Sequence, residues 1–353
     1  MTDDSIEIFE FRQANGENPS DHLGPPTSMD VARLANVSRA TVSYVLNDTS
    51  DTRISEATKN RVIQAAAKLG YIPHKNASSL RSGRSDLVLL PFFDWPYNQS
   101  SLTFLKELAL SLDNLGYMVM LRFFKQGERK LVARKIAASH PIGVIVGPDE
   151  LSESDVELLS RNGVKAILAY EGPSYPYLPS IAPDFTVIGE KIGEYLVMRG
   201  CKRIAVIVPQ DMRIQQIGLQ RLQGIENIAS QNNVKVERID MSMDPGEAAL
   251  LALRWKQGDH PDAVFTYNDE FGVLLLSALQ DAGLQVPKHI ALIGCDDLSL
   301  CEMVRPRLTS VNIAPETAAR STAHYFHLLI QGQGEKIPPM MHINCSIVIR
   351  ESG

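Results

Sequence analysis

TSMDVARLANVSRATVSYVLN, residues 27–47, reads as two short amphipathic helices joined by a tight turn, the arrangement of a helix-turn-helix reader of duplex DNA. Thr27 is a polar N-cap, and Asp30 three residues on is an acid near the positive end of the first helix. Val31, Ala32, Leu34 and Ala35 supply that helix's apolar face. In Asn36-Val37-Ser38 the valine turns inward and the Ser38 hydroxyl is placed to cap the second helix. Val42, Val45 and Leu46 anchor the second helix, which leaves Arg39, Ala40, Thr41, Ser43 and Tyr44 facing outward, toward base edges in a major groove. An ordinary helical hairpin would show the same pattern, so the flanking sequence decides between the two.

A third helix begins at the capping residue Ser55 and runs through SEATKNRVIQAAAKLGYIP until Gly70 and Pro73 end it. Three helices make a minimal core. HKNASSLRSGRSD follows, short, polar and basic, with Ala77 and Leu80 as its apolar members. A helix of that size is marginal in water and orders only when docked. The chain has a net charge of −6, yet residues 27–85 hold nine basic residues against four acids, so positive charge collects where phosphates would lie. Arg39, Ala40 and Tyr44 are therefore the candidates for base contact. Ser28, Ser38, Thr41, Asn47, Arg53 and Thr58 are the candidates for phosphate and sugar contact; Arg53 sits in the loop DTSDTRIS and is the least securely placed. Residues 1–26, with six acids, one arginine and a Gly-Pro-Pro end, read as a disordered acidic leader.

With 353 residues the chain is too long for one compact domain and suits a small module ahead of a larger two-lobed one. After Asp86, short apolar strands alternate with helices, which implies parallel sheets. LVLLPFF, YMVMLRFF, GVIVG and KAILAY read as strands of one lobe; RIAVIVP, VKVERID, DAVFTY and IALIGC as strands of a second. SLTFLKELALSLDNLG and LLLSALQDAG read as covering helices. Ligands of such sheets bind at the carboxyl ends of the strands, here between the lobes. FFDWPYNQSS puts Phe93, Asp94, Trp95, Tyr97 and Asn98 at the mouth of that cleft, where rings suit stacking on a sugar as well as they suit core packing. Asp149 and Asp184 are weaker candidates.

No apolar run is long enough to cross a bilayer and the N-terminus lacks a secretory signal, so a cytoplasmic protein without membrane contact is expected. Cys201, Cys295, Cys301 and Cys345 show no paired or metal-like spacing, which predicts free thiols and no metal. GxxxxGK, GxGxxG and HExxH are absent, so neither cofactor nor enzymatic activity is expected. Asp296 and Asp297, read as neighbours in a strand, point to opposite faces and make a poor acid/base pair, which leaves Asp297 a structural loop cap.

DVARLANVSRATVSYVLN, the RIS…KNRVIQAAAKLGYIP helix and the NASSLRSGRS hinge resemble the lactose-repressor (LacI) family of bacterial transcription regulators. Further on, PDAVFTYNDEFGVLLLSALQDAGLQVPKHIALIGCDD is similar to the family's effector domain, itself similar to periplasmic sugar-binding proteins. The resemblance implies an all-α head with a hinge helix (residues 27–73 and 74–85), then a two-lobed type I periplasmic-binding-protein-like α/β domain (86–353). It implies a homodimer on double-stranded operator DNA, acting as a repressor, with Ala77 and Leu80 in the minor groove and Leu80 wedged between base steps; the plainer alternative for Leu80 is a linker residue. It places Arg221, Asn268 and Asp296 on a small-molecule, sugar-like effector, the alternative being that Arg221 and Asp296 pair across the cleft and fix the lobes. Without trailing leucine heptads after Gly353, a dimer is expected over a tetramer. The competing reading is a solute-binding protein of the same two-lobed fold, which the head and the missing signal peptide disfavour.

Overall fold

The computed structural model describes residues 25–46, 54–72, 85–93, 96–125, 131–147, 151–170, 177–336, 340–341 and 344–353. The expected contacts of Asn47, Arg53, Ala77, Leu80, Asp94, Trp95 and Asp149, the hinge and most of the acidic leader lie outside the described residues. The chain divides into two compact units, Met1–Arg84 and Ser85–Gly353.

The first unit contains α1 (Ser28–Ala35), α2 (Arg39–Leu46) and α3 (Glu56–Leu69). Val31, Val42 and Val62, one from each helix, are fully buried in one cluster with Ala32 and Ala35 of α1 and Ala65 and Ala66 of α3. The punctuation is local chemistry. The Thr27 backbone N–H and hydroxyl both donate to Asp30 Oδ2, at 2.8 and 2.7 Å. Asn36 closes α1 in the left-handed region (φ 51°), which asparagine tolerates better than most residues. Ser38 Oγ accepts from the Thr41 N–H at 3.1 Å, so it caps α2 as expected. Ser55 caps α3 through the Thr58 N–H, and Gly70 ends it at φ 62°.

The second unit holds two six-stranded sheets. In the first lobe β1 (Leu87–Phe92) lies between β2 (Met118–Phe123) and β3 (Gly143–Val146), followed outward by β4 (Ala166–Tyr170), β5 (Ser180–Pro183) and β11 (Met340–Met341). α4 (Gln99–Asn114) and α11 (Pro315–Ile330) cover one face of it; α5 (Val132–Ala137) and α6 (Glu153–Arg161) cover the other. In the second lobe β6 (Arg203–Pro209) is flanked by β7 (Lys235–Met241) and β8 (Ala263–Phe265), then β9 (Ala291–Cys295), β10 (Thr309–Asn312) and antiparallel β12 (Ser346–Val348). α7 (Thr186–Met198) and α8 (Met212–Gln231) pack on one side, α9 (Pro245–Lys256) and α10 (Asp269–Asp281) on the other. Strands such as RIAVIVP are apolar throughout because both sheet faces are covered.

All eight predicted strands form, in the predicted lobes. β5, β10, β11 and β12 were not predicted, being two to four residues long and too short for a periodicity to show. Among the described elements the chain passes between the lobes after β5, after β10 and after β11, so α11 belongs to the first lobe and β12 to the second.

α7 and α8 meet backbone to backbone. A Cβ at Gly189 would stand 1.9 Å from the Arg221 carbonyl oxygen, and one at Gly224 would stand 2.1 Å from the Thr186 carbonyl oxygen. Only hydrogen fits there, and the fit sets the height of Arg221 on α8. Gly224→Ala is expected to force these helices apart and lower stability by about 1–3 kcal/mol in chemical denaturation; an unchanged midpoint would refute the close packing.

Candidate functional site

A cleft of about 540 Å³ opens between the lobes at the carboxyl ends of their strands, a size suited to a small metabolite. Phe93, Tyr97, Asn98, Arg221, Asn268 and Asp296 all line it.

Arg221 is 3 % exposed. Its Nη1 donates to the Tyr267 carbonyl oxygen, and its Nη2 lies 3.9 Å from Asp296 Oδ1. The guanidinium is held between two rings, 5.5 Å from the Phe185 centroid and 5.0 Å from that of Tyr267. Neither aromatic was singled out from the sequence. The available signal was position, since Tyr267 directly precedes Asn268 and Phe185 follows Asp184 at a lobe crossing.

Arg221 and Asp296 do not face each other across the cleft; both stand on the second lobe, one on α8 and one just after β9. The bond between lobes comes instead from Asn98, whose Nδ2 donates to Asp296 Oδ2 at 2.6 Å. Asn98 also caps α4, accepting from the Ser101 N–H at 3.0 Å. Beside it, the Ser299 hydroxyl donates to Gln99 Oε1 at 3.1 Å, a second link between the lobes. Burial pushes the Asp296 carboxyl above the usual carboxylate range, while Arg221 and the Asn98 bond pull the other way without cancelling it.

Asn268 is the N-cap of α10, with Oδ1 accepting from the Phe271 N–H at 3.0 Å and Nδ2 donating to Glu270 at 3.2 Å. Asp184 accepts from the backbone N–H and hydroxyl of Thr186, the first residue of α7. Phe93 stacks on Phe124 with centroids 5.7 Å apart, which joins its packing reading to its place on the cleft wall.

Asp296 and Asp297 are not strand residues. Both have left-handed backbone, φ 96° and 52°, in the turn after β9. Asp297 is tied to Arg350 at 2.7 Å and accepts from Asn312 at 3.2 Å, which anchors the chain's last residues to this turn. The four cysteines are free thiols. Among the described residues no group of histidine, cysteine and acidic side chains is placed to hold a metal ion.

Behind the turn Asp269, the first residue of α10, is fully buried. It accepts from the Ser310 hydroxyl at 2.5 Å and the Leu298 N–H at 2.7 Å. Gly294 makes room for it, since a Cβ there would stand 2.0 Å from Asp269 Oδ1.

In the head, Arg39 Nε donates to Ser28 Oγ at 3.0 Å, joining a predicted base contact to a predicted backbone contact on neighbouring helices. Ala40 is exposed and Tyr44 is 49 % exposed on the outward side of α2. Thr41 and Thr58 bond the hydroxyls of their capping serines, at 2.9 and 3.0 Å.

Residues 27–74 match the model of the lacI family of bacterial regulatory proteins, and residues 193–353 match that of a periplasmic binding protein-like domain. The HTH-type transcriptional regulator CelR of Thermobifida fusca is 29 % identical over 341 residues, covering 93 % of this chain and 98 % of the relative. Catabolite control protein A of Staphylococcus epidermidis is 27 % identical over 293 residues, 81 % of this chain and 86 % of the relative. Among solved structures, the Lac repressor dimer bound to operator and the anti-inducer ONPF superposes with a TM-score of 0.78 at 22 % identity, over 93 % of this chain and 99 % of that one. A complex of the regulator CelR with cellobiose superposes at 0.63 and 26 % identity, over 93 % and 100 %.

Burial raises the Asp269 carboxyl to about 7, with Asp296 nearby adding to the rise and the Ser310, Leu298 and Cys301 bonds opposing it. A carboxyl raised in the folded state contributes stability that is full below about pH 3.8 and lost as pH rises through about 7. The stability advantage of the wild type over Asp269→Asn should therefore shrink between about pH 4 and 7 in urea denaturation; parallel pH curves would contradict this.

Proposed function

Because this chain belongs to the lacI family of bacterial regulatory proteins, we propose that it is a homodimeric repressor whose grip on operator DNA is set by a sugar or related polar metabolite in the cleft. That it is a DNA-binding transcriptional regulator follows from the family; repression, the dimer and the ligand are the added reading. The observation that carries it is the pairing of a helix-turn-helix head with a cleft whose floor presents Arg221, Asn268 and Asp296 together. Arg221 offers a fork of donors and Asp296 accepts from hydroxyls. CelR's complex with cellobiose supports the ligand class. The head also separates this chain from a solute-binding protein of the same fold.

A dimer suits the surface. β2 is an edge strand of the first lobe on which Met118, Met120, Leu121 and Phe123 are exposed, Phe123 by 73 %, and Leu102 and Leu110 are exposed on α4. An apolar row on an unpaired edge is the kind of surface a partner covers. A second copy there would bring two heads to two half-sites of a palindrome. Ligand then acts by changing the angle between the lobes of each copy, which brings the two hinges together or separates them, and with them Leu80. Among the described residues no helix is long and apolar enough to cross a membrane.

Tyr44→Ala is expected to lose about 1–3 kcal/mol on the specific site and little on random duplex, read by fluorescence anisotropy; unchanged discrimination would remove Tyr44 from base readout. Arg221→Ala should retain operator affinity while no longer responding to ligand, because its side chain belongs to the cleft and not to the head. A normal response by that variant would displace the proposed pocket.

A further inference from the structure

The head keeps positive charge that its own acids do not balance. Asp30 receives the Thr27 backbone N–H and hydroxyl, and Glu56 pairs with Lys59 at 2.7 Å. Arg39 and Arg61 instead spend donors on neutral hydroxyls, Arg39 Nε on Ser28 Oγ at 3.0 Å and Arg61 Nη2 on Thr58 Oγ1 at 3.5 Å. Among the described residues neither guanidinium is paired with a carboxylate. The sequence ahead of the head carries the opposite sign, with Asp3, Asp4, Glu7, Glu10, Glu17 and Asp21 against Arg12. The family match begins at residue 27, so this leader lies outside it. Where the leader joins the head is set by α1. Thr27 is the N-cap, directly before the Ser28 that holds Arg39, so the chain enters the head beside a candidate base-reading side chain.

Resting on the reading of Arg39 and Tyr44 as the DNA face, we propose that the acidic leader lies back on the outward side of α1 and α2 and competes there with duplex DNA. Its carboxylates take the place of phosphates, since both present the paired oxygens that a guanidinium fork bonds. Ile6-Glu7-Ile8-Phe9-Glu10-Phe11 sets four large apolar side chains among two acids, more than a purely solvating stretch has use for. On the head, Met29 and Tyr44 are 54 % and 49 % exposed on those two helices. Reach is ample: residues 1–26 span up to about 90 Å when extended, whereas the 14 residues of α3 measure about 21 Å. A tethered competitor acts at an effective concentration of order millimolar. With an affinity of about 0.1 mM, the weak end of non-specific phosphate binding, it holds its site about ten to one. An operator, which adds base contacts to phosphate contacts, still displaces the leader; duplex offering phosphates alone does so poorly.

The test uses the full chain. Asp3→Asn, Asp4→Asn, Glu7→Gln, Glu10→Gln, Glu17→Gln and Asp21→Asn together remove the acids and keep their shapes. In fluorescence anisotropy with a labelled random-sequence duplex, this variant should bind about tenfold tighter than the wild type at about 50 mM potassium chloride, the gap closing at about 300 mM. Phe9→p-benzoylphenylalanine, a photo-crosslinker in the otherwise wild-type chain, should attach to residues of α1 or α2, and excess duplex should abolish the attachment. Crosslinks that miss the head, or that excess duplex leaves in place, overturn the docking and assign any gain in affinity to plain repulsion between leader and DNA. Equal duplex affinity of the six-fold variant and the wild type overturns the competition. Arg39→Ala in the six-fold background should weaken duplex binding; unaltered binding would overturn the assignment of Arg39 to the DNA face, and with it the site of competition.

Discussion

The effector domain turns on one buried carboxylate shared between its lobes. Asp296 belongs to the second lobe, where it stands 3.9 Å from Arg221, and receives a 2.6 Å bond from Asn98 of the first. Removed from water, that carboxylate must be satisfied by protein or by ligand, because an unmatched buried charge is costly. Asn98 supplies that partner through Nδ2 while its Oδ1 is held by the capping bond from Ser101. The lobes are thus joined across the cleft by a polar side-chain contact.

The rest of the domain makes this contact possible. Gly189 and Gly224 let α7 and α8 touch, which sets Arg221 at the floor of the cleft between Phe185 and Tyr267. Left-handed backbone at Asp296 and Asp297 turns one side chain into the cleft and the other to Arg350. Because the chain passes repeatedly between lobes, a change in their angle is shared by several connections and not absorbed in one flexible link.

What was legible in the sequence was whatever has a period or a cap. Val31, Ala32 and Ala35 on α1 and Val42 and Val45 on α2 announce the head's core at helical spacing, Ser38 and Ser55 announce its helix starts, and RIAVIVP announces a strand covered on both faces. Arg221, Asn268 and Asp296 were placed through family resemblance, and they do meet at one cleft. Illegible were the contacts between distant segments. Asn98 lies 198 positions from Asp296, so nothing local could show that it, and not Arg221, makes the bond between lobes. The aspartate pair looked like strand residues because it directly follows the apolar run IALIGC, and aspartate's tolerance of positive φ is too weak a signal to mark the end of the strand. β11 and β12 are too short to stand out and form only where a neighbouring strand receives them.

The most direct test of the account is selection of duplexes from a randomised pool by the purified full chain, repeated with a bound sugar. The account predicts enrichment of one two-fold symmetric site, weakened by salt, whose occupancy changes when the cleft is filled. Equal retention of all duplexes, with and without ligand, would contradict it.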